Sequence, residues 1–358
     1  MQDDWEAILE QTSYLDRADA LVLIEYLSER GATDEELTEA AKAGTLGPLG
    51  LELALRPAGE RVPFPEAARL AGLSADEAAA MWRAFGFPDP LDPPRRLSPR
   101  QVETLQVLAG MSQSLFGPEM SLQLSRVIGS SMANLAEAIT DAYRLQVEVP
   151  RQDQGESYSQ LVKDYGEIGS VMLPALTAAL GDILTGHLLA VARAGWALDE
   201  ERTAVTRDLA VGFADLVGYT RSARAATPSE LAAAIGRFES LAGEIVARHG
   251  GRVVKLIGDE VMFAAEHPVN AARVAFELID ALQADPRMPR VRIGLAAGPV
   301  ISHQGDYYGD VVNLAARLVK AAEPGEVLAS DSFGRGEPVD LPPLKGFDEA
   351  VPVYRLTR

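Results

Sequence analysis

The stretch RVVKLIGDEVMFAA, residues 252–265, decides how the rest of the chain is read. Val253, Val254, Leu256 and Ile257 form one β-rich run, and Val261, Met262 and Phe263 form a second. Gly258, Asp259 and Glu260 lie between them and predict a tight hairpin turn. The ordinary account of such an aspartate is a solvated turn residue. A sheet, however, has no local need for a carboxylate there with Lys255 four residues before it, and the flanking sequence supplies a different role.

Upstream, residues 209–216 read as a strand running into Asp215, Leu216, Val217, Gly218, Tyr219 and Thr220. Residues 228–249 then predict an amphipathic helix with Leu231, Ile235, Phe238, Leu241 and Ile245 on one face, closed by Gly250 and Gly251. Downstream come a helix over 268–284, a strand over 291–301, a loop over 303–310 and a helix over 311–322 that stops before Pro324 and Gly325. Residues 327–330 and 353–356 read as later strands. This β-α-β-β-α-β order predicts an α+β domain built on a ferredoxin-like sheet with helices on one face.

In such a sheet Asp215, at the end of the first strand, and Asp259, on the adjacent hairpin, become neighbours. Two carboxylates brought together repel unless a proton or a cation sits between them. The chain has no cysteine, and no histidine is near either aspartate in sequence. Oxygen ligation therefore points to Mg²⁺ or Mn²⁺. Two such ions roughly 3.5–4 Å apart clamp the attacking and leaving oxygens of phosphoryl transfer. Gly218 and Thr220 follow where a turn enters a helix, a place where backbone N–H groups receive phosphate oxygens.

At 358 residues the chain exceeds the size of a single core, so two domains are expected, and its 47% hydrophobic content fills both. The net charge of −19 is uneven: residues 1–200 carry 31 acids against 15 bases, leaving −3 for residues 201–358. An acidic front half repels phosphate backbones and anionic membranes, which argues against a nucleic-acid partner. MQDDWEAILEQ lacks the regions of a signal peptide, and the most apolar segment, 171–198, is interrupted by Pro174, Asp182, His187 and Arg193. The expectation is a cytoplasmic protein without a membrane span.

The front half reads as helical. In residues 1–60 the pattern is broken by Gly44, Gly47, Pro48 and Gly50. Residues 63–90 have the outline of a helix-turn-helix, with Ser74 as N-cap and Glu77 at the capping-box position. Its second helix, ADEAAAMWRAF, holds one arginine and two acids, which favours a packed bundle over DNA reading. A further helical stretch spans 98–147 with a break at Gly117 and Pro118, residues 150–157 read as a loop, and one long helix covers 169–196. On it Leu173, Leu176, Leu180, Ile183, His187 and Ala190 form a stripe expected to be core. His187 is the candidate regulatory residue there, because imidazole titrates near neutral pH.

One helix adds the last elements. Asn313 and Arg317 stand four apart on one helical face, with Asp306 seven residues before Asn313. The segments VGFADLVGYT, VVKLIGDEVMF, DYYGDVVNLAARL and LPPLKGF together resemble the catalytic domain of the class III nucleotidyl cyclases, in the right order over about residues 205–358. The resemblance implies that Asp215, Asp259 and the backbone carbonyl of Leu216 hold two divalent cations, Mg²⁺ or Mn²⁺. It implies that Lys255 and Asp306 read the purine, that Asn313 orients the ribose, that Arg317 meets charge growing on the α-phosphate, and that Lys345 contacts the terminal phosphates. Adenine offers N1 as acceptor and N6 as donor, so this pair favours ATP over GTP. A homodimer with shared sites, releasing cyclic AMP, is expected.

The front half is similar, more loosely, to the helical regulatory domain of actinobacterial cyclases that respond to pH, chiefly through EAARLAGLSADEAAAMWRAFGFP. That implies a regulatory domain over 1–168, a helical linker over 169–204 and a catalytic domain over 205–358. It also implies autoinhibition, with His187, His249 and His303 as candidate proton sites and a small or lipid-like molecule as the other candidate regulator.

Overall fold

Three helix starts in the front half are set by reciprocal side-chain caps. Thr33 with Glu36, Ser74 with Glu77 and Ser98 with Gln101 each form a reciprocal capping box, which satisfies N–H groups a helix cannot bond internally. The computed structural model describes residues 5–56, 59–92, 95–195, 206–218, 227–334, 336–347 and 351–358. The chain divides into two units, residues 1–198 and 199–358.

Among the described residues the first unit contains helices α1 (Trp5–Glu10), α2 (Arg17–Glu29), α3 (Asp34–Ala43), α4 (Leu46–Leu55), α5 (Phe64–Leu70), α6 (Ala75–Ala84), α7 (Pro99–Met111), α8 (Gly117–Tyr143), α9 (Val149–Asp153) and α10 (Tyr158–Gly195). Strands β1 (Val62–Pro63) and β2 (Arg96–Leu97) pair between them. One core gathers Leu23, Ile24, Leu27, Leu37 and Leu46 from α2 to α4, and a second gathers Phe64, Trp82, Leu97 and Leu105. The expected break at Gly117 is present, preceded by a π-helical turn at Ser112–Phe116.

Three expectations are corrected here. Gly47, Pro48 and Gly50 do not interrupt: they lie inside α4, where a proline in the first turn loses no hydrogen bond and Gly50 lets α10 pack closely, an added methyl meeting Val162. The loop expected over 150–157 is half helix, α9, because Pro150 sits near its start. The stripe on α10 is not core. Leu173 and Ile183 are exposed, as are Val171, Leu184 and Leu188. The helix is also the one described helix long and apolar enough to cross a membrane by length and composition, with a mean hydropathy of 1.5 over its best window.

The second unit contains β3 (Thr206–Leu216), α11 (Pro228–Arg248), β4 (Arg252–Ile257), β5 (Glu260–Ala265), α12 (Pro268–Ala284), β6 (Val291–His303), β7 (Asp306–Tyr308), α13 (Asp310–Ala321), β8 (Val327–Ser330), β9 (Glu337–Val339) and β10 (Val353–Arg355). The sheet order is β4-β5-β3-β6-β8-β10-β9, with β7 paired to β6. Its first four strands follow the ferredoxin-like arrangement and run antiparallel. The expected single helical face is corrected. Alternation along β3 puts Ala210, Ala214 and Leu216 against α11 and α12, and Val211 and Phe213 against α13 on the opposite face. Helices therefore cover both sides.

The seat of α13 depends on one small residue. A Cβ on Gly294 of β6 would land on the Val319 nitrogen and the Ala315 carbonyl of α13. Gly294→Val should therefore push the helix off the sheet, costing about 3 kcal/mol or more, within the upper range of overpacking effects. Urea unfolding checks this, and an unchanged midpoint would disprove the close approach.

Candidate active site

The hairpin is a two-residue turn, Gly258-Asp259, joining β4 to β5. Gly258 has φ of 63°, the left-handed region such a turn needs, so glycine is required there. The Leu216 N–H donates to the Asp259 carbonyl at 3.1 Å, which ties the end of β3 to the turn. Gly218, with φ of 77°, turns the chain immediately afterwards.

Register then builds a charged row across the sheet. Ile257 pairs with Glu260, Glu260 with Asp215, and Asp215 with Arg292, so all four side chains project from the same face. That face is the one α13 covers, and Lys320 in the last turn of α13 closes the row. Asp215, Leu216, Gly218, Ile257, Asp259, Glu260, Arg292 and Lys320 line one cavity of about 360 Å³. Arg292 donates from Nε to Asp215 Oδ2 at 2.7 Å and from Nη1 to the Lys320 carbonyl at 3.2 Å. Its Nη2 lies 2.6 Å from the same carboxylate oxygen. Burial raises the pKa of Glu260, and Asp215 and Asp259 raise it further as like charges, while Lys320 and Arg292 oppose them.

This donor set fits a hard divalent cation. Among the described residues no three acidic or histidine side chains converge closely enough to enclose an ion. Mg²⁺ and Mn²⁺ do not require that: one or two carboxylates plus substrate phosphates and water suffice. The guanidinium against Asp215 already shows that the position accepts a positive charge.

A second cluster lies on the same sheet. Lys255 Nζ of β4 donates to Asp306 Oδ2 of β7 at 2.5 Å, and the Tyr307 N–H holds Asp306 Oδ1 at 2.8 Å. The ion pair is half-buried. One turn apart on α13 stand Asn313, exposed, and Arg317, whose Nε donates to the Lys345 carbonyl at 3.3 Å. Lys345 itself is exposed. None of Lys255, Asp306, Asn313 and Arg317 lines the cavity of Asp215 and Asp259. Thr220 lies outside the described residues.

Sequence reasoning missed Arg292, Glu260 and Lys320. Arg292 was readable: it occupies a position of β6 that alternation assigns to the face shared with Gly294 and Ala296, where a charge needs a partner. Lys320 carried no signal, since lysine in the last turn of a helix is ordinary. Of the histidines, His187 is exposed, His249 Nε2 lies 2.6 Å from Glu277 Oε2, and His303 packs edge-on to Tyr308. None of them lines the cavity.

Residues 202–335 match the adenylate and guanylate cyclase catalytic domain family. An adenylate cyclase of Streptomyces coelicolor is 36% identical over 272 residues, covering 76% of this chain and 70% of that one. An uncharacterized protein of Mycobacterium bovis is 33% identical over 93% of this chain and 89% of its own length. A pH-sensitive adenylate cyclase of Mycobacterium tuberculosis is 28% identical over 92% of this chain and 83% of its own. With the family's catalytic domain in the second unit and actinobacterial relatives aligned through most of its length, the chain belongs to the class III cyclases and is an adenylate cyclase.

Proposed function

We propose that the enzyme converts ATP to 3′,5′-cyclic AMP and pyrophosphate at two equivalent sites, each shared between the subunits of a homodimer. The observation that carries this is the separation of the two clusters. Among the described residues the carboxylate cavity is lined by Asp215, Asp259, Glu260, Arg292 and Lys320, and the Lys255–Asp306 pair lies outside it. A twofold partner brings the second cluster of one subunit to the first cluster of the other.

Asp215 and Asp259, with the Leu216 carbonyl, would hold two divalent cations, Mg²⁺ or Mn²⁺, which would supply Lewis acidity at the α-phosphate. Gly218 and Thr220 receive phosphate oxygens with backbone N–H groups. Lys255 donates to adenine N1 and Asp306 accepts from N6, and their ion pair pre-sets both groups before ATP arrives. Asn313 orients the ribose, so that the 3′-oxygen attacks the α-phosphorus and the bond to pyrophosphate breaks. Arg317, steadied by the Lys345 carbonyl, meets the charge that develops on the non-bridging oxygens. The Lys345 side chain contacts the terminal phosphates. Incubating the protein with ATP and GTP separately, with Mn²⁺, and identifying the products tests this directly. Cyclic GMP as the main product would overturn the adenine assignment.

The front half acts as an autoinhibitory domain of a cytoplasmic enzyme, with residues 169–204 as the linker. The exposed apolar face of α10 suits contact with another helix, and the Mycobacterium tuberculosis relative supports pH as the signal. His187, on α10, is the candidate proton site. An apolar cavity of about 710 Å³ bounded by Trp82, Phe85, Phe87, Leu108 and Met132 is the place for a lipid-like regulator. Removing residues 1–200 should raise cyclic AMP production at least tenfold at the pH where the full chain is least active, since the two states of such a switch differ by a few kcal/mol. A truncated protein that is folded and dimeric but no more active than the full chain would end the autoinhibition reading. A full pH response in His187→Ala would remove that residue from it.

A further inference from the structure

We infer that Arg252 is a positioning residue for purine selection: it holds the turn between β6 and β7 so that the Asp306 carboxylate is presented to the adenine amino group. The inference rests on reading Lys255 and Asp306 as the pair that contacts the base.

Asp306 stands at the mouth of a two-residue turn. His303 pairs with Asp306, leaving Gln304 and Gly305 between them with φ of 53° and 82°. Both lie in the left-handed region, which glycine enters freely and glutamine does not, so the turn needs support from outside itself. Arg252 supplies it from β4. Its Nη2 donates to the Gly305 carbonyl at 3.1 Å, and its guanidinium carbon lies 5.2 Å from the centroid of the buried Tyr307 ring. The two contacts flank Asp306 in the chain, one on the residue before it and one on the residue after. Asp306 itself is held by Lys255 Nζ and by the Tyr307 N–H.

Register explains how one short strand reaches both places. The pairing of β4 with β5 shifts between Val253 and Lys255, so Arg252 lies opposite Ala264 and Lys255 opposite Met262. Ala264 and Met262 share one face of β5. The bulge therefore puts two residues three apart on that same face, where simple alternation would part them. An arginine over a tyrosine at a sheet edge often does no more than cover the ring. That accounts for the stacking but not for the bond to the Gly305 carbonyl, nor for a register shift that aligns Arg252 with Lys255. A carboxylate displaced by a fraction of an ångström loses its bond from N6 of adenine, while guanine, with an acceptor at that position, has no such bond to lose. Loosening the turn should therefore act on ATP before it acts on GTP.

The test compares the full-length enzyme with Arg252→Ala, Arg252→Met, Asp306→Asn and a double variant combining Arg252→Ala with Asp306→Asn, measuring kcat/KM for ATP and for GTP with Mn²⁺. Methionine keeps a stem that can cover Tyr307 and removes the donor. Both Arg252 variants should raise KM for ATP and lower the ATP-to-GTP ratio about tenfold, the scale of one weakened charge-assisted hydrogen bond. The double variant should show the ratio of Asp306→Asn alone, because a residue that acts through Asp306 then has nothing left to position. If Asp306→Asn lowers the ratio while both Arg252 variants stay within twofold of the parent, the Arg252 inference is overturned and the purine reading stands. An unchanged ratio in Asp306→Asn would overturn both. Losses that multiply in the double variant, or a lower Tm at an unchanged ratio, would show Arg252 acting elsewhere and overturn the inference.

Discussion

Asp215→Asn and Arg317→Ala should each be nearly inactive alone and should recover activity when co-expressed. Asparagine keeps the size of Asp215 but removes the charge that attracts a divalent ion, so the Lewis-acid contribution disappears and a loss of about a thousandfold or more in kcat is expected. It also leaves Arg292 beside a neutral amide, adding positive charge where the ion would sit. Arg317→Ala removes a donor aimed at charge present only in the transition state, and such losses run at about 10²–10³-fold. If each site takes Asp215 from one subunit and Arg317 from the other, a mixed dimer has one site with both defects and one intact site. Random assembly then gives about a quarter of parental activity, because roughly half the dimers are mixed and each holds one good site of two. A mixture as dead as its components would mean that both residues serve one subunit's site, and the shared-site reading would have to be abandoned.

The second large effect concerns the purine. Exchanging the pair, as Lys255→Glu with Asp306→Lys, keeps opposite charges at the two positions and so keeps the brace between β4 and β7. The hydrogen-bond pattern is reversed. Guanine presents a donor at N1 and an acceptor at O6, which the reversed pair matches, while adenine then faces an acceptor with an acceptor and a donor with a donor. Buried polar groups left unpaired are the strongest source of rejection available to a binding site. The ratio of kcat/KM for ATP over GTP should therefore fall by about a thousandfold, with most of the change arising from lost ATP turnover. Steady-state kinetics with both nucleotides decides it. An unchanged preference would show that another group reads the base.

The catalytic half was legible to an unusual degree because each of its motifs sits where local rules suffice. Gly258-Asp259 is a turn by glycine's access to positive φ, and β4 and β5 follow from β-branched and apolar runs on either side. Asp215 and Asp259 could be placed together because strand order follows from the order of elements. The helical faces were misjudged for a related reason. Hydrophobic runs such as residues 209–216 are apolar on both sides, so alternation does not reveal that α13 lies opposite α11 and α12. The stripe on α10 was misjudged because an apolar face has the same spacing whether its own chain covers it or not.

What the amino-acid order determined is therefore the main strands and helices of the catalytic half, though not the short β7 inside the loop expected over 303–310 or the short β9, and the chemically pointed residues: two aspartates, a lysine with an aspartate, an asparagine with an arginine. What only the tertiary structure decided is which of these meet. Pairing register across β4, β5, β3 and β6 set Glu260, Asp215 and Arg292 in one row, and the seating of α13 on Gly294 brought Lys320 over its end. Register and helix seating are sums of many weak contacts between residues distant in the chain, and no short stretch of sequence contains them.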